Sequence, residues 1–174
     1  MAAILLIEDD RCICEAIEDF LRSCHITVHC AHTGEAAVQM LASHHYDLAI
    51  IDVTLPGMSG LDLAPIAANG NTSVLLMSGY PDSKFKLHQY DYPYLAKPFT
   101  LDALRIAVVH VMNEHAANLA RIKVSAARMI AKTEALRAAL VESDRLQDAA
   151  RMQQQLKRWE TVVVRAKRAS WAAE

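Results

Sequence analysis

Residues 48–60 read LAIIDVTLPGMSG: four apolar residues, one carboxylate, then a turn rich in Pro and Gly. An apolar run of that length without polar alternation, closed by Pro and Gly, reads as a strand covered on both faces. A strand of that kind belongs to an α/β sheet with helices on its two sides. Asp52 then stands at the carboxyl end of a buried strand, the place where such sheets gather ligands. An Asp at that position also caps turns by hydrogen-bonding its own backbone. The stretch alone does not separate the two readings.

Other apolar runs end in the same way. Ala3–Ile7 stops at Glu8-Asp9-Asp10, Ser73–Met77 at Ser78-Gly79, and Tyr92–Ala96 at Lys97-Pro98. Ile26–Cys30 alternates weakly and reads as a further strand. Between the runs lie helical patterns. Residues 11–23 carry apolar Cys14, Ile17, Phe20 and Leu21 on one stripe with acids opposite. Thr33 is placed to cap a helix with Ala37, Val38 and Leu41 inward. Residues 60–68 form a short helix closed by Asn69-Gly70-Asn71, residues 81–88 at most a stunted one, and Thr100 caps a last helix from Leu101 onward. Strands and helices alternating at this spacing predict βα units and a parallel sheet. Every polar residue of interest falls just after a strand, so the topology collects them in one crevice.

The 174 residues suffice for one ordinary domain plus an appendage, and 53% hydrophobic with 22% charged residues fits a folded, soluble chain. No apolar run approaches the roughly 20 residues of a membrane span. The first residues, MAAILLIEDD, lack the basic start of a signal peptide, and a cytoplasmic location is the expectation. Cys12, Cys14, Cys24 and Cys30 then read as reduced thiols. Cys12 and Cys14 lack both zinc-knuckle spacing and a complementary second pair. Charge is unevenly distributed: residues 1–110 hold 6 Lys/Arg against 13 Asp/Glu, net −7, while residues 111–174 hold 12 against 7, net +5. An acidic front and a basic tail imply two parts with different partners.

The crevice would gather Glu8, Asp9, Asp52, Ser78 and Lys97, with Asp10 as an extra acid. Neighbouring carboxylates repel and call for a cation, and hard oxygen ligands suit Mg²⁺ held together with a phosphate. An Asp carboxylate can act as a nucleophile and form an aspartyl phosphate, while a Lys and a hydroxyl hold the added phosphoryl oxygens. The parts fit phosphoryl capture from a donor rather than hydrolysis of a sugar or peptide. The plain alternatives are a half-buried aromatic at Tyr94 and a solvated loop cation at Lys97. Asp62, Asp82 and Asp91 read as surface charges.

LIEDD at 6–10, D-x-x-L-P-G-M-S-G at 52–60, Met77-Ser78-Gly79 and YLAKPF at 94–99 together resemble the receiver domain of two-component response regulators, over about residues 2–112. The resemblance implies a flavodoxin-like, doubly wound sheet of five parallel strands in the order 2-1-3-4-5. It implies Asp52 as phosphoacceptor, Asp9 as direct Mg²⁺ ligand, Glu8 as its water-bridged neighbour, and a metal-facing backbone carbonyl at Thr54. It further implies Ser78 as switch hydroxyl, Lys97 as the phosphoryl-binding lysine, Tyr94 as the aromatic that swings inward, and a cis peptide at Lys97-Pro98. The partner it implies is a histidine kinase or histidine phosphotransfer protein, and the protein is a phosphoacceptor rather than an enzyme. Ser78 follows Asp52 by 26 residues and Lys97 follows Ser78 by 19. Both gaps are a few residues short of the family pattern, which bears on the helices after the third and fourth strands and on the output face they form. Tyr80, two residues past Ser78, is bulky and is expected to shield a phosphoryl group from water.

Residues 113–174 contain neither Gly nor Pro and are rich in helix formers. Leu119, Ile122, Ala126, Met129, Thr133, Leu136 and Leu140 step by three and four, a coiled-coil seam. A second seam runs through Leu146, Ala149, Met152, Leu156, Trp159, Val163 and Ala166. The phase breaks near Ser143-Asp144, where Asp144 with Gln147 resembles a capping box. The expectation is a receiver at 1–112 and a helical hairpin or coiled coil at 113–174, turning at 142–144, with a homodimer formed through the tail. Its basic charge leaves nucleic-acid binding as an alternative, and His115 on a helix leaves a phosphohistidine relay as another.

Overall fold

Strands β1 (Ala3–Ile7), β2 (Thr27–Ala31), β3 (Leu48–Asp52), β4 (Ser73–Ser78) and β5 (Tyr94–Ala96) form one parallel sheet in the order β2-β1-β3-β4-β5. They belong to a computed structural model that describes residues 2–79, 90–142 and 146–171. Expectations for Tyr80, Asp82, the stunted helix at 81–88 and the helix start at Asp144 lie outside the described residues. The helices are α1 (Arg11–Ser23), α2 (Gly34–Ser43), α3 (Gly60–Asn69), α4 (Leu101–Glu142) and α5 (Leu146–Trp171). The sheet is the doubly wound, five-stranded α/β architecture expected from the sequence.

The strands are apolar without alternation because both faces of the sheet are covered. On one face Leu5, Ile7, Ala49 and Ile51 pack with Ala37 of α2 and Leu63 and Ala67 of α3. On the other, Ile4, Leu6, Leu48 and Ile50 pack with Ile17 and Leu21 of α1 and Leu104 and Val108 of α4. Each fully buried Leu or Ile contributes about 1.5–3 kcal/mol of transfer free energy, so the two faces hold the strand ends in fixed register. Ile7 pairs with Ala31 and Ile51, Asp52 with Met77, and Ser78 with Ala96.

Helix starts are set by side-chain caps. Asp10 accepts from the Cys12 and Ile13 amides at 2.9 and 3.2 Å, Thr33 from Ala36 at 3.2 Å, Ser59 from Leu61 at 3.2 Å and Thr100 from Ala103 at 3.1 Å. Each satisfies an amide that the first helical turn leaves unpaired. Cap loss at such positions typically costs about 1 kcal/mol. The strand β5 is shorter than the expected 92–96. Pro93 accepts from the Leu76 amide at 3.0 Å but has no N–H to return to the ladder.

A compact unit runs through His115, and a second comprises Ala116–Trp171. In the second, one heptad row of the expected seam, Leu119, Ala126 and Thr133, is buried, with Lys123 and Ile130 half-buried beside it. The other row is not: Ile122, Met129 and Leu136 are 36%, 38% and 49% exposed. The buried stripe is therefore rotated from the seam read off the sequence. In α5, Leu156 is buried, with Met152 and Trp159 half-buried. Among the described residues no helix is long and apolar enough to cross a membrane.

Two expectations follow from the packing. The turn after β3 brings α3 so close that a Cβ on Gly60 would lie 2.0 Å from the Asp52 carbonyl oxygen and 2.9 Å from Val53 Cα. Both are backbone atoms that cannot yield. Gly60→Ala should destabilise the chain by about 3 kcal/mol or more, whereas Gly79→Ala, with nothing within 4 Å of the added Cβ, should cost far less. Denaturant midpoints of the two variants check the contrast. His115, half-buried on α4, is pushed below the ordinary imidazole value by burial, with Asp47 pulling it back and His45 adding to the fall. The unfolded chain therefore binds this proton first on acidification. The stability His115 confers is complete above the ordinary imidazole value and is lost as pH falls through and below it. His115→Leu should flatten the decline in stability between about pH 7.5 and about pH 5.5, as measured by denaturant midpoints; an unchanged slope contradicts the assignment.

Candidate functional site

The carboxyl ends of β1, β3 and β4 and the segment after β5 deliver Glu8 and Asp9, Asp52, Ser78 and Lys97 respectively. The Lys97 ammonium donates to Glu8 Oε2 at 2.7 Å and to Asp52 Oδ2 at 2.6 Å. The other Asp52 oxygen, Oδ1, accepts the Thr54 amide at 2.8 Å. Both carboxylates are nearly sealed from solvent, Glu8 at 1% and Asp52 at 6% exposure, while Asp9 is open to it. Ser78 is buried at the end of β4, one step beyond Met77, the β-partner of Asp52. The Lys97 amide donates to the Ser78 carbonyl at 2.7 Å, and the Lys97-Pro98 peptide is cis.

Burial pushes the Glu8 carboxyl above its ordinary value; the hydrogen bond from Lys97 opposes that rise and the Asp52 charge adds to it. Burial alone would lower Lys97, but its hydrogen bonds to Asp52 and Glu8 more than compensate and hold it above the usual lysine range. The ammonium thus stays charged at neutral pH. With one partner removed, a buried charge would be left uncompensated, which is far more costly than the pair itself is stabilising.

Glu8, Asp9 and Asp52 each present a carboxylate oxygen, all within 4.8 Å of one another. Oxygens around one Mg²⁺, each about 2.1 Å from the ion, lie roughly 3 to 4 Å apart. The spacing would suit one hard divalent cation held directly by one or two of these carboxylates and through water by the rest. Three carboxylates against one ammonium also leave a formal deficit that a divalent ion offsets. The donor set is oxygen throughout, which suits Mg²⁺ rather than a softer metal.

Of the residues singled out from the sequence, Glu8, Asp9, Asp52, Thr54 and Lys97 are brought together, with Ser78 at the adjoining strand end. Tyr94 lies on β5 with 45% of its surface exposed, outside this group. The charges that act on His115 are those of Asp47 and His45, residues that precede β3, whereas Asp52 closes it. Asp10, read as an extra acid, is the α1 cap. Asp47, not singled out from the sequence, accepts the Ala3 amide on Oδ2 at 2.8 Å and ties the start of β1 to β3. An Asp immediately before an apolar strand is the signal that would have found it.

A family model described as the response regulator receiver domain matches residues 4–109. Among curated proteins, the cell cycle transcriptional regulator CtrA of Caulobacter vibrioides is 33% identical over 114 residues, covering 63% of this chain and 49% of that protein. The regulatory protein VanRB of Enterococcus faecalis is 32% identical over 105 residues, covering 58% and 48%. The chain spans about half the length of these relatives. Among solved structures, the signal receiver domain of an HD domain-containing protein from Pseudomonas fluorescens Pf-5 superposes with a TM-score of 0.60 at 30% identity, covering 66% of this chain and 96% of that one. The response regulator TrrA from Thermotoga maritima, solved with Mg²⁺ and BeF, gives 0.58 at 28%, covering 64% and 99%. With the strand order, the clustered carboxylates and the lysine in place, the chain belongs to the response regulator receiver domain family of two-component systems.

Proposed function

We propose that the chain accepts a phosphoryl group on Asp52 from a histidine kinase or histidine phosphotransfer protein and passes the change to its helical C-terminal unit. The observation that carries this reading is the Asp52 carboxylate, held between the Thr54 amide and the Lys97 ammonium beside two further carboxylates. Glu8, Asp9 and Asp52, with the Thr54 carbonyl, would hold Mg²⁺, which supplies charge neutralisation for the incoming phosphoryl oxygens. An Asp52 oxygen forms the new O–P bond as the donor P–N bond breaks, and the departing imidazole keeps the electron pair. Lys97 and Ser78 then hold phosphoryl oxygens, Lys97 by charge and Ser78 by its hydroxyl. Tyr94, exposed on β5, is the residue that would swing inward once Ser78 is engaged.

The output is an interaction made by the helical unit, and a second copy of the chain is one partner for it. Sedimentation of the full chain with and without beryllofluoride tests this, and identical mass and shape in both states count against it. A second reading, nucleic-acid binding by the basic tail, draws on its 12 Lys/Arg against 7 Asp/Glu. Salt-dependent binding to duplex DNA or RNA would favour it. A phosphohistidine relay at His115 draws the least support, because that ring is half-buried.

Incubation with Mg²⁺ and the small phosphodonor acetyl phosphate should label the wild-type chain with an alkali-labile phosphoryl group. Asp52→Ala should take up none, and Lys97→Ala should lower the rate by roughly a hundredfold. Undiminished labelling of Asp52→Ala would remove the proposal.

A further inference from the structure

Two rows of side chains run along α4 in the second unit, one residue apart and hence about 100° apart around the helix. One is apolar: Ile122, Met129 and Leu136, each a heptad from the next and each more than a third exposed. The other is cationic: exposed Arg121 and Arg128, one heptad apart, followed by exposed Lys132. Beside the cationic row Ala120, Val124 and Ser125 line, together with the two arginines, a shallow depression of about 430 Å³. Val124 is itself 54% exposed. From His115 to Thr133 the chain carries Arg121, Lys123, Arg128 and Lys132 and no Asp or Glu.

We propose that this face docks an acidic amphipathic helix of another protein, which sets its apolar side chains on Ile122, Met129 and Leu136 and its carboxylates on Arg121, Arg128 and Lys132. Heptad spacing, about 10.5 Å along the axis, suits a helix lying alongside, because its own side chains recur at the same interval. Charge decides the occupant. A second copy laid along the same stretch would bring like charges together, which is unfavourable, whereas an acidic helix gains at each arginine. A nucleic-acid backbone would satisfy the cations and leave the apolar row uncovered. The proposal deepens the reading that the helical unit is the output, and it rests on that reading only for its regulation.

The test uses the full chain and a synthetic peptide of roughly four heptads with Leu at a and d and Glu at e and g. A matching peptide with Lys for Glu, and duplex DNA, serve as controls. Fluorescence anisotropy should show the Glu peptide binding with an affinity that falls as salt is raised. Arg121→Glu with Arg128→Glu should weaken it at least about tenfold and let the Lys peptide bind instead. Met129→Gln should weaken it without changing the salt dependence. Absence of Glu-peptide binding, equal binding of the Lys peptide, or duplex DNA binding of the same strength would overturn the proposal. So would a doubled sedimentation mass that Met129→Gln abolishes. Circular dichroism of each variant confirms that the helices persist. Repeating the titration with beryllofluoride separates the two claims: equal affinity in both states removes phosphorylation control of this face and leaves the docking face standing, while no affinity in either state sinks the face.

Discussion

One ammonium holds the site together. Lys97 lies 89 residues from Glu8 and 45 from Asp52 in sequence, yet it touches both, at 2.7 and 2.6 Å. No local preference of the chain produces that arrangement. It exists because β1, β3 and β5 run parallel in one sheet whose register is locked by apolar packing on both faces. The three carboxylates repel one another, Glu8 is held above its ordinary value by burial, and Lys97 is the cation that offsets part of this. The core supplies the rigidity; the strand ends spend it on a concentration of negative charge that suits a divalent ion.

Much of the receiver was legible because its signals are local and redundant. Ala3–Ile7, Leu48–Ile51 and Ser73–Met77 are runs too apolar to be half-exposed, and each ends in a residue with chemistry. Thr33 and Thr100 announce their helices by capping. What was not legible depends on partners distant in sequence. The EDD run offers three acids in a row, and only the fold assigns Glu8 to the interior, Asp9 to the solvent-facing side of the site and Asp10 to a helix cap. All three follow the last residue of β1, where no strand period fixes their directions, and the sequence does not say which of them faces the lysine.

The tail shows the same limit from the other direction. A heptad pattern tells which residues share a stripe and leaves open how many neighbours the stripe has. Leu119, Ala126 and Thr133 are buried and Ile122, Met129 and Leu136 are not, although the pattern treats the two rows alike. The unburied row is a physical fact about the helical unit that periodicity alone could not supply. Its cationic neighbours turn it from a generic apolar ridge into one with a preference for negative charge.

The central claim is that four separated strand ends make one phosphoryl-accepting carboxylate. Fluorine NMR of the full chain with Mg²⁺ and beryllofluoride tests it most directly. Bound-fluoride resonances that require Mg²⁺ and vanish in Asp52→Ala are the predicted result. A spectrum of free beryllofluoride alone, or bound resonances that survive Asp52→Ala, would contradict it.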